Sequence, residues 1–85
     1  MTIWKFQFEI SGDLTISMPA NARVLSIQIQ NGVPCMWAIV NQSYPCEERN
    51  FKVFGTGHPM SAETALLAEH VGTFQDGQFV WHVFE

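Results

Sequence analysis

Trp4, Phe6, Phe8 and Ile10 recur at every second residue with Lys5, Gln7 and Glu9 between them, the pattern of a strand with one buried face. Ser11-Gly12-Asp13 then marks a turn, and Leu14, Ile16 and Met18 alternate with Thr15 and Ser17 up to Pro19. The pattern predicts two consecutive strands joined as a hairpin or meander. A third strand is predicted over Arg23 to Gln30, with Leu25, Ile27 and Ile29 on one face and Ser26, Gln28 and Gln30 on the other.

Asn31-Gly32 tolerates positive φ at both positions, a strong signal for a two-residue hairpin turn. That turn sets a register in which Gln30 faces Val33, Ile29 faces Pro34, Ile27 faces Met36 and Ser26 faces Trp37. Pro34 has no N–H to offer, which points to an edge on the far side of its strand. The returning segment, Cys35-Met36-Trp37-Ala38-Ile39-Val40, is apolar on both faces. Asn41 to Asn50, with Pro45 and the adjacent Glu47 and Glu48, reads as an exposed loop before a short strand over Phe51 to Phe54.

Ser61 followed by Ala62, Glu63, Ala65 and Leu66 predicts one short helix, capped by Ser61 and with Glu63 near its positive end. The remainder predicts a second hairpin, Glu69 to Phe74 and Gln78 to Phe84, turned at Asp76-Gly77. In that register Phe74 faces Phe79, and Gly72 faces Trp81, whose indole covers the bare glycine. The strand Phe79 to Phe84 is again apolar on both faces. Seven short strands separated by turns, with at most one short helix, predict a mainly β single domain over residues 1–85: a small antiparallel sandwich or barrel. Two doubly apolar strands exceed what one small core absorbs, so a homo-oligomer is expected.

Composition narrows the function classes. The 85 residues are 47% hydrophobic and 14% charged, and four Lys and Arg against eight Asp and Glu give a net charge of −4. Seven Phe, three Trp and one Tyr argue for a folded chain. So few cations, with no basic run, argue against a nucleic-acid polymer as partner. The N-terminus alternates instead of forming an apolar run, and no stretch is long enough for a membrane helix, so the expectation is a protein of the cytoplasm with no membrane partner. In that compartment Cys35 and Cys46 are read as free thiols.

Candidate chemistry is sparse. Gly55-Thr56-Gly57-His58-Pro59 is the densest segment: glycines around a hydroxyl residue let backbone N–H groups converge on an anion, and His58 adds a donor, although the lysine of a phosphate-binding loop is missing. An ordinary tight loop is the simpler reading of the same residues. The predicted register puts His70 and His82 on opposite faces of the sheet, and Cys35 and Cys46 lack zinc-site spacing, so no metal or other cofactor is implied. Cys35 sits in an apolar strand as a buried thiol, and Glu47 and Glu48 read as solvated, leaving no convincing nucleophile, acid or base. Binding fits better. Trp4, Trp37, Tyr44 and Trp81 offer flat faces, and Arg23, Arg49 and Lys52 are nearly all the positive charge available to meet an anion.

Ile3-Trp4-Lys5-Phe6, the segment from Ala22 through Asn31-Gly32 to Ala38, the Gly55 to Pro59 block and the ending Val71-Gly72-Thr73-Phe74 with Trp81 to Glu85 resemble a family of small phage-encoded proteins of unknown function. The resemblance spans almost the whole chain. It implies expression in a bacterial host's cytoplasm and transfers no catalytic residue. With it, the expected function is a non-enzymatic oligomer that sequesters a small anionic, nucleotide-derived ligand to counter host antiviral defence. The expected site combines Arg23, Trp37, Lys52, Gly55, Thr56, Gly57 and His58. The alternatives are a protein-binding inhibitor of a host enzyme, which could be a defence protein, an accessory virion component and, last, a weak hydrolase.

Overall fold

The computed structural model describes residues 1–85, folded as seven antiparallel strands and one helix. In chain order the elements are β1 (Thr2–Gln7), β2 (Asp13–Pro19), β3 (Arg23–Gln30), β4 (Val33–Val40), β5 (Cys46–Gly55), α1 (Ala62–Leu67), β6 (His70–Asp76) and β7 (Phe79–Phe84). They form a three-stranded sheet of order β1-β4-β3 and a four-stranded sheet of order β2-β5-β7-β6. The alternating apolar positions meet between the sheets: Ile27, Met36, Ala38 and Val40 from one, and Leu14, Ile16, Met18, Phe51, Val53, Phe74 and Val83 from the other. This is the small β-sandwich that the strand pattern implies.

β1 and β2 do not form a hairpin. They lie in different sheets, so residues 8–12 cross from one layer to the other. β1 stops at Gln7 for a local reason. The Phe8 N–H donates to the Pro34 carbonyl at 3.1 Å, but the proline has no N–H to return. Pro34 therefore ends the β1 ladder; it does not mark an edge strand, and β4 lies between β1 and β3. Phe8 still reaches the core, edge-on to Phe74 at 6.0 Å, whereas Trp4 stays 38% exposed because it lies near the free rim.

The β3–β4 hairpin keeps the register set by Asn31-Gly32, with φ of 51° and 78° at the two turn residues. Its one departure is a bulge between Val24 and Ser26, which takes Leu25 out of the alternation and leaves it exposed. The expected loop from Asn41 to Asn50 is shorter than it reads, because Cys46 to Asn50 extend β5 along β2. Glu47 and Glu48 are strand residues there, opposite Met18 and Ser17.

The last hairpin departs further. Asp76 pairs with Phe79, so the two loop residues are Gly77 and Gln78, with φ of 61° at the glycine. A glycine at the first loop position suits this turn as well as one at the second. Phe74 consequently faces Trp81, and Gly72 faces Val83. Trp81 does not cover Gly72. Ile27 from the other sheet does, so closely that a Cβ on residue 72 would lie 3.2 Å from Ile27 Cδ1. Both doubly apolar segments become interior strands, β4 between β1 and β3 and β7 between β5 and β6, where neighbours partly cover their outer residues.

Candidate functional site

The Gly55 to Pro59 segment folds as a turn closed by its own histidine. The Gly55 N–H donates to His58 Nδ1 at 3.2 Å, and the His58 N–H donates to the Gly55 carbonyl at 3.0 Å. The Thr56 N–H is also committed, to the Val80 carbonyl at 3.1 Å. Three N–H groups that an anion would need are therefore already bonded. The imidazole lies against Gly55, where a Cβ would sit 2.7 Å from His58 Cε1, so any side chain here would have to displace the ring. Trp81 approaches His58 edge-on at 6.0 Å, and with Gly55, Thr56 and Phe79 they line a hollow of about 300 Å³.

The other expected site residues are elsewhere. Trp37 lies on the outer face of the three-stranded sheet, opposite Lys5 and Ser26. Arg23 lines a recess of about 220 Å³ with Arg49, Glu69, His70 and Glu85. Lys52 lies on the outer face of the four-stranded sheet, its ammonium 2.8 Å from Asp13 in an exposed pair. The structure keeps Gly55, Thr56 and His58 together, places Arg23 and Lys52 at two other recesses, and leaves Trp37 on the outer face of the other sheet.

Lys52 belongs to a larger cavity of about 370 Å³ between α1 and the four-stranded sheet. Its apolar side chains are those of Phe84, Leu67 and Ala68, while Leu14 and Phe51 border it but turn their side chains into the core; its polar rim includes Thr15, Asn50 and Thr64. Asp13, Glu63 and Glu85 add three carboxylates against the one ammonium. The roof is α1, capped as expected by Ser61, whose Oγ accepts from the Thr64 N–H at 3.1 Å. The helix buries none of its residues, and Leu67 is 79% exposed. Its weak amphipathic pattern hid this cavity from a sequence reading. The one legible sign was a short helix ending in two adjacent leucines.

On the outer face of the same sheet, a hydrogen-bonded row joins Thr56 Oγ1 to His82 Nε2 at 2.7 Å, His82 Nδ1 to Thr73 Oγ1 at 3.1 Å, and Thr73 Oγ1 to His70 Nε2 at 2.9 Å. His70 and His82 thus share a face. A β-bulge between His70 and Gly72 reverses the parity that an unbroken ladder would give. Arg49 holds the rim near Arg23. It donates to both Glu85 carboxylate oxygens, at 2.5 and 2.7 Å, and to the Ala22 carbonyl at 2.7 Å. The hydrogen bonds to Glu85 raise the guanidinium pKa above its ordinary value; partial burial opposes the rise, and the charges of Glu85 and Glu47 add to it.

A family model for a domain of unknown function, DUF7352, matches residues 1–85. The chain belongs to that family. No curated protein and no solved structure matches it. In this DUF7352 domain no helix is long and apolar enough to cross a membrane. Both cysteines are free thiols, Cys35 buried and donating to the Val33 carbonyl at 3.4 Å, and Cys46 exposed.

Proposed function

We propose that this domain is a non-catalytic binding module that holds a small ligand beneath α1. The cavity there carries the reading: about 370 Å³ lies within the range of small-molecule sites, and its apolar wall with a few polar groups is what such sites use. Leu67 gives a reason for occupancy. Burying a leucine side chain is worth about 1.5–3 kcal/mol, and a ligand with a flat ring would cover Leu67 and Phe84 together. No histidine or cysteine lines the cavity, and its one lysine is tied to Asp13 at 2.8 Å.

Charge refines the ligand class. Lys52 can meet one anionic group, because its exposed pair with Asp13 is worth no more than about 1 kcal/mol. The carboxylates of Asp13, Glu63 and Glu85 oppose a polyanion. The ligand is then a nucleotide-derived molecule of low charge, such as a nucleoside monophosphate, recognised by ring contact and one charge-assisted bond. The phage origin, the host cytoplasm and the counter-defence role rest on the resemblance of the sequence blocks; sequestering a nucleotide signal is the activity that joins them to this cavity.

Calorimetric titration with nucleosides, nucleoside monophosphates, cyclic dinucleotides and ADP-ribose tests the proposal. Binding of a monophosphate, recovery of the intact compound, and at least about a tenfold loss of affinity in Leu67→Glu are expected. Leu67 is mostly exposed, so that variant retains its fold. No heat with any compound sinks the reading.

A further inference from the structure

Four strands lie at sheet edges, and three of them carry a bulge or a proline. β3 and β6 each carry a bulge, and they approach each other where Ile27 covers Gly72. On β2, the Val53 N–H bonds to the Gly12 carbonyl and the Ala20 N–H to the Pro45 carbonyl, so alternation turns Asp13, Thr15, Ser17 and Pro19 outward. Its last outward position is a proline without an N–H, and the Asp13 carbonyl already accepts from Ser11 Oγ at 2.6 Å.

β1 has none of these obstructions. Phe8 bonds inward to Pro34, so Thr2, Trp4 and Phe6 pair with β4 while Ile3, Lys5 and Gln7 direct their N–H and C=O groups away from the sheet. The strand has no proline and no bulge. Its one charge, Lys5, is held at 2.8 Å by Gln30 on the same sheet. Ile3 is 57% exposed and Trp4 38%. Beside this strand a groove of about 640 Å³ separates it from β2.

We propose that β1 pairs antiparallel with β1 of a second copy, joining two three-stranded sheets into one of six strands. The sequence of β1 selects the register. Outward hydrogen bonding requires odd residues to face odd residues. A two-fold axis at Lys5 would set two ammonium groups opposite each other, which is unfavourable. An axis at Trp4 uses Thr2 to Phe6 in full, places Ile3 opposite the partner's Lys5, and brings the two Trp4 indoles together as a non-hydrogen-bonded pair. Ile3 lies opposite Ile39 on β4, so pairing also adds the partner's apolar outer face to this one. This goes beyond ligand binding, because the β1 edge lies outside the cavity beneath α1.

Sedimentation velocity on the full chain over a wide concentration range tests the pairing. A monomer–dimer equilibrium is expected. Lys5→Pro removes an outward N–H that β4 does not use, and should raise the dimer dissociation constant about tenfold or more. Ile3→Lys places like charges opposite and should weaken the dimer, whereas Ile3→Glu faces the partner's Lys5 and should tighten it severalfold. Ile3 is exposed, so both variants fold. Trp4→Cys in a Cys46→Ser background should cross-link copies on oxidation, because residues in such a pair have Cα atoms about 4.5 Å apart, within disulfide range. A monomer at every concentration overturns the proposal, as does a dimer indifferent to Lys5→Pro or equally affected by both Ile3 substitutions.

Discussion

Where β3 approaches β6, Ile27 sits on Gly72, both edges are bulged, and Arg49 ties β5 to the Ala22 carbonyl and to Glu85. Where β1 and β2 end the other side, a groove remains, Trp4 is partly exposed, and the charge pair is the open Lys52–Asp13 contact. One side is shut by close approach and the other is left with unused main-chain groups. The difference shows what closure requires: a position without a side chain opposite one with a branched side chain, and strand irregularities that spoil the ladder for any newcomer.

The largest expected contrast comes from deleting an aliphatic side chain on each side. Ile27→Ala should lower unfolding stability by about 2–5 kcal/mol, because Ile27 is 3% exposed and its loss leaves a cavity. Ile3→Ala, studied at concentrations where the chain is monomeric, should stay within about 0.5 kcal/mol. Urea denaturation of both decides, and equal costs would erase the distinction between the sides. Next, Gly72→Ala should cost about 1–3 kcal/mol by crowding Ile27. Removing Cδ1 through Ile27→Val should relieve part of that, giving a coupling of at least about 0.5 kcal/mol in a double-mutant cycle. Additive effects would mean that Gly72 is not the seat of Ile27.

The two charge clusters provide a smaller contrast. Arg49→Met should cost about 1–3 kcal/mol, since it strips partners from the Ala22 carbonyl and from Glu85, whereas Lys52→Met should cost no more than about 1 kcal/mol. Because Glu85 raises the Arg49 pKa, that group's contribution is complete below its ordinary value and fades only as pH climbs past the raised one. Urea midpoints measured across neutral pH should therefore show no step from Arg49 ionisation. The smallest effect belongs to the helix. Ser61→Ala should cost about 0.5–1 kcal/mol, visible as faster amide exchange in α1 with little change in global unfolding, because α1 buries no residue.

How much was legible in the chain follows from the range of each interaction. The β3–β4 register was legible because Asn31-Gly32 admits one tight turn and every pair counts outward from it. At Gly77 the same logic slipped by one residue, since a glycine serves either position of a two-residue turn and neighbouring Asp76 suits the turn too. The bulges at Leu25 and Val71 left no local signal, and the second decided which face carries His70. Of the expected site, Gly55, Thr56 and His58 stayed together because they are contiguous. Arg23, Trp37 and Lys52 did not join them, because their convergence depended on the sheets' arrangement. The Leu67 cavity left only the two adjacent leucines as a sign, being formed by residues far apart in sequence.

The chain by itself determined that there are seven strands, the inward set of Leu14, Ile16, Met18, Ile27 and Met36, the cap at Ser61 and the scarcity of cations, all properties of composition and local pattern. Tertiary structure alone decided that β1 and β2 part into separate sheets, that Gly72 receives Ile27, that His70 and His82 share a face, and that β1 keeps an unobstructed edge. The physical reason is the same in each case. Alternation tells a side chain which face to take, but only the placement of one sheet against another says what stands opposite it.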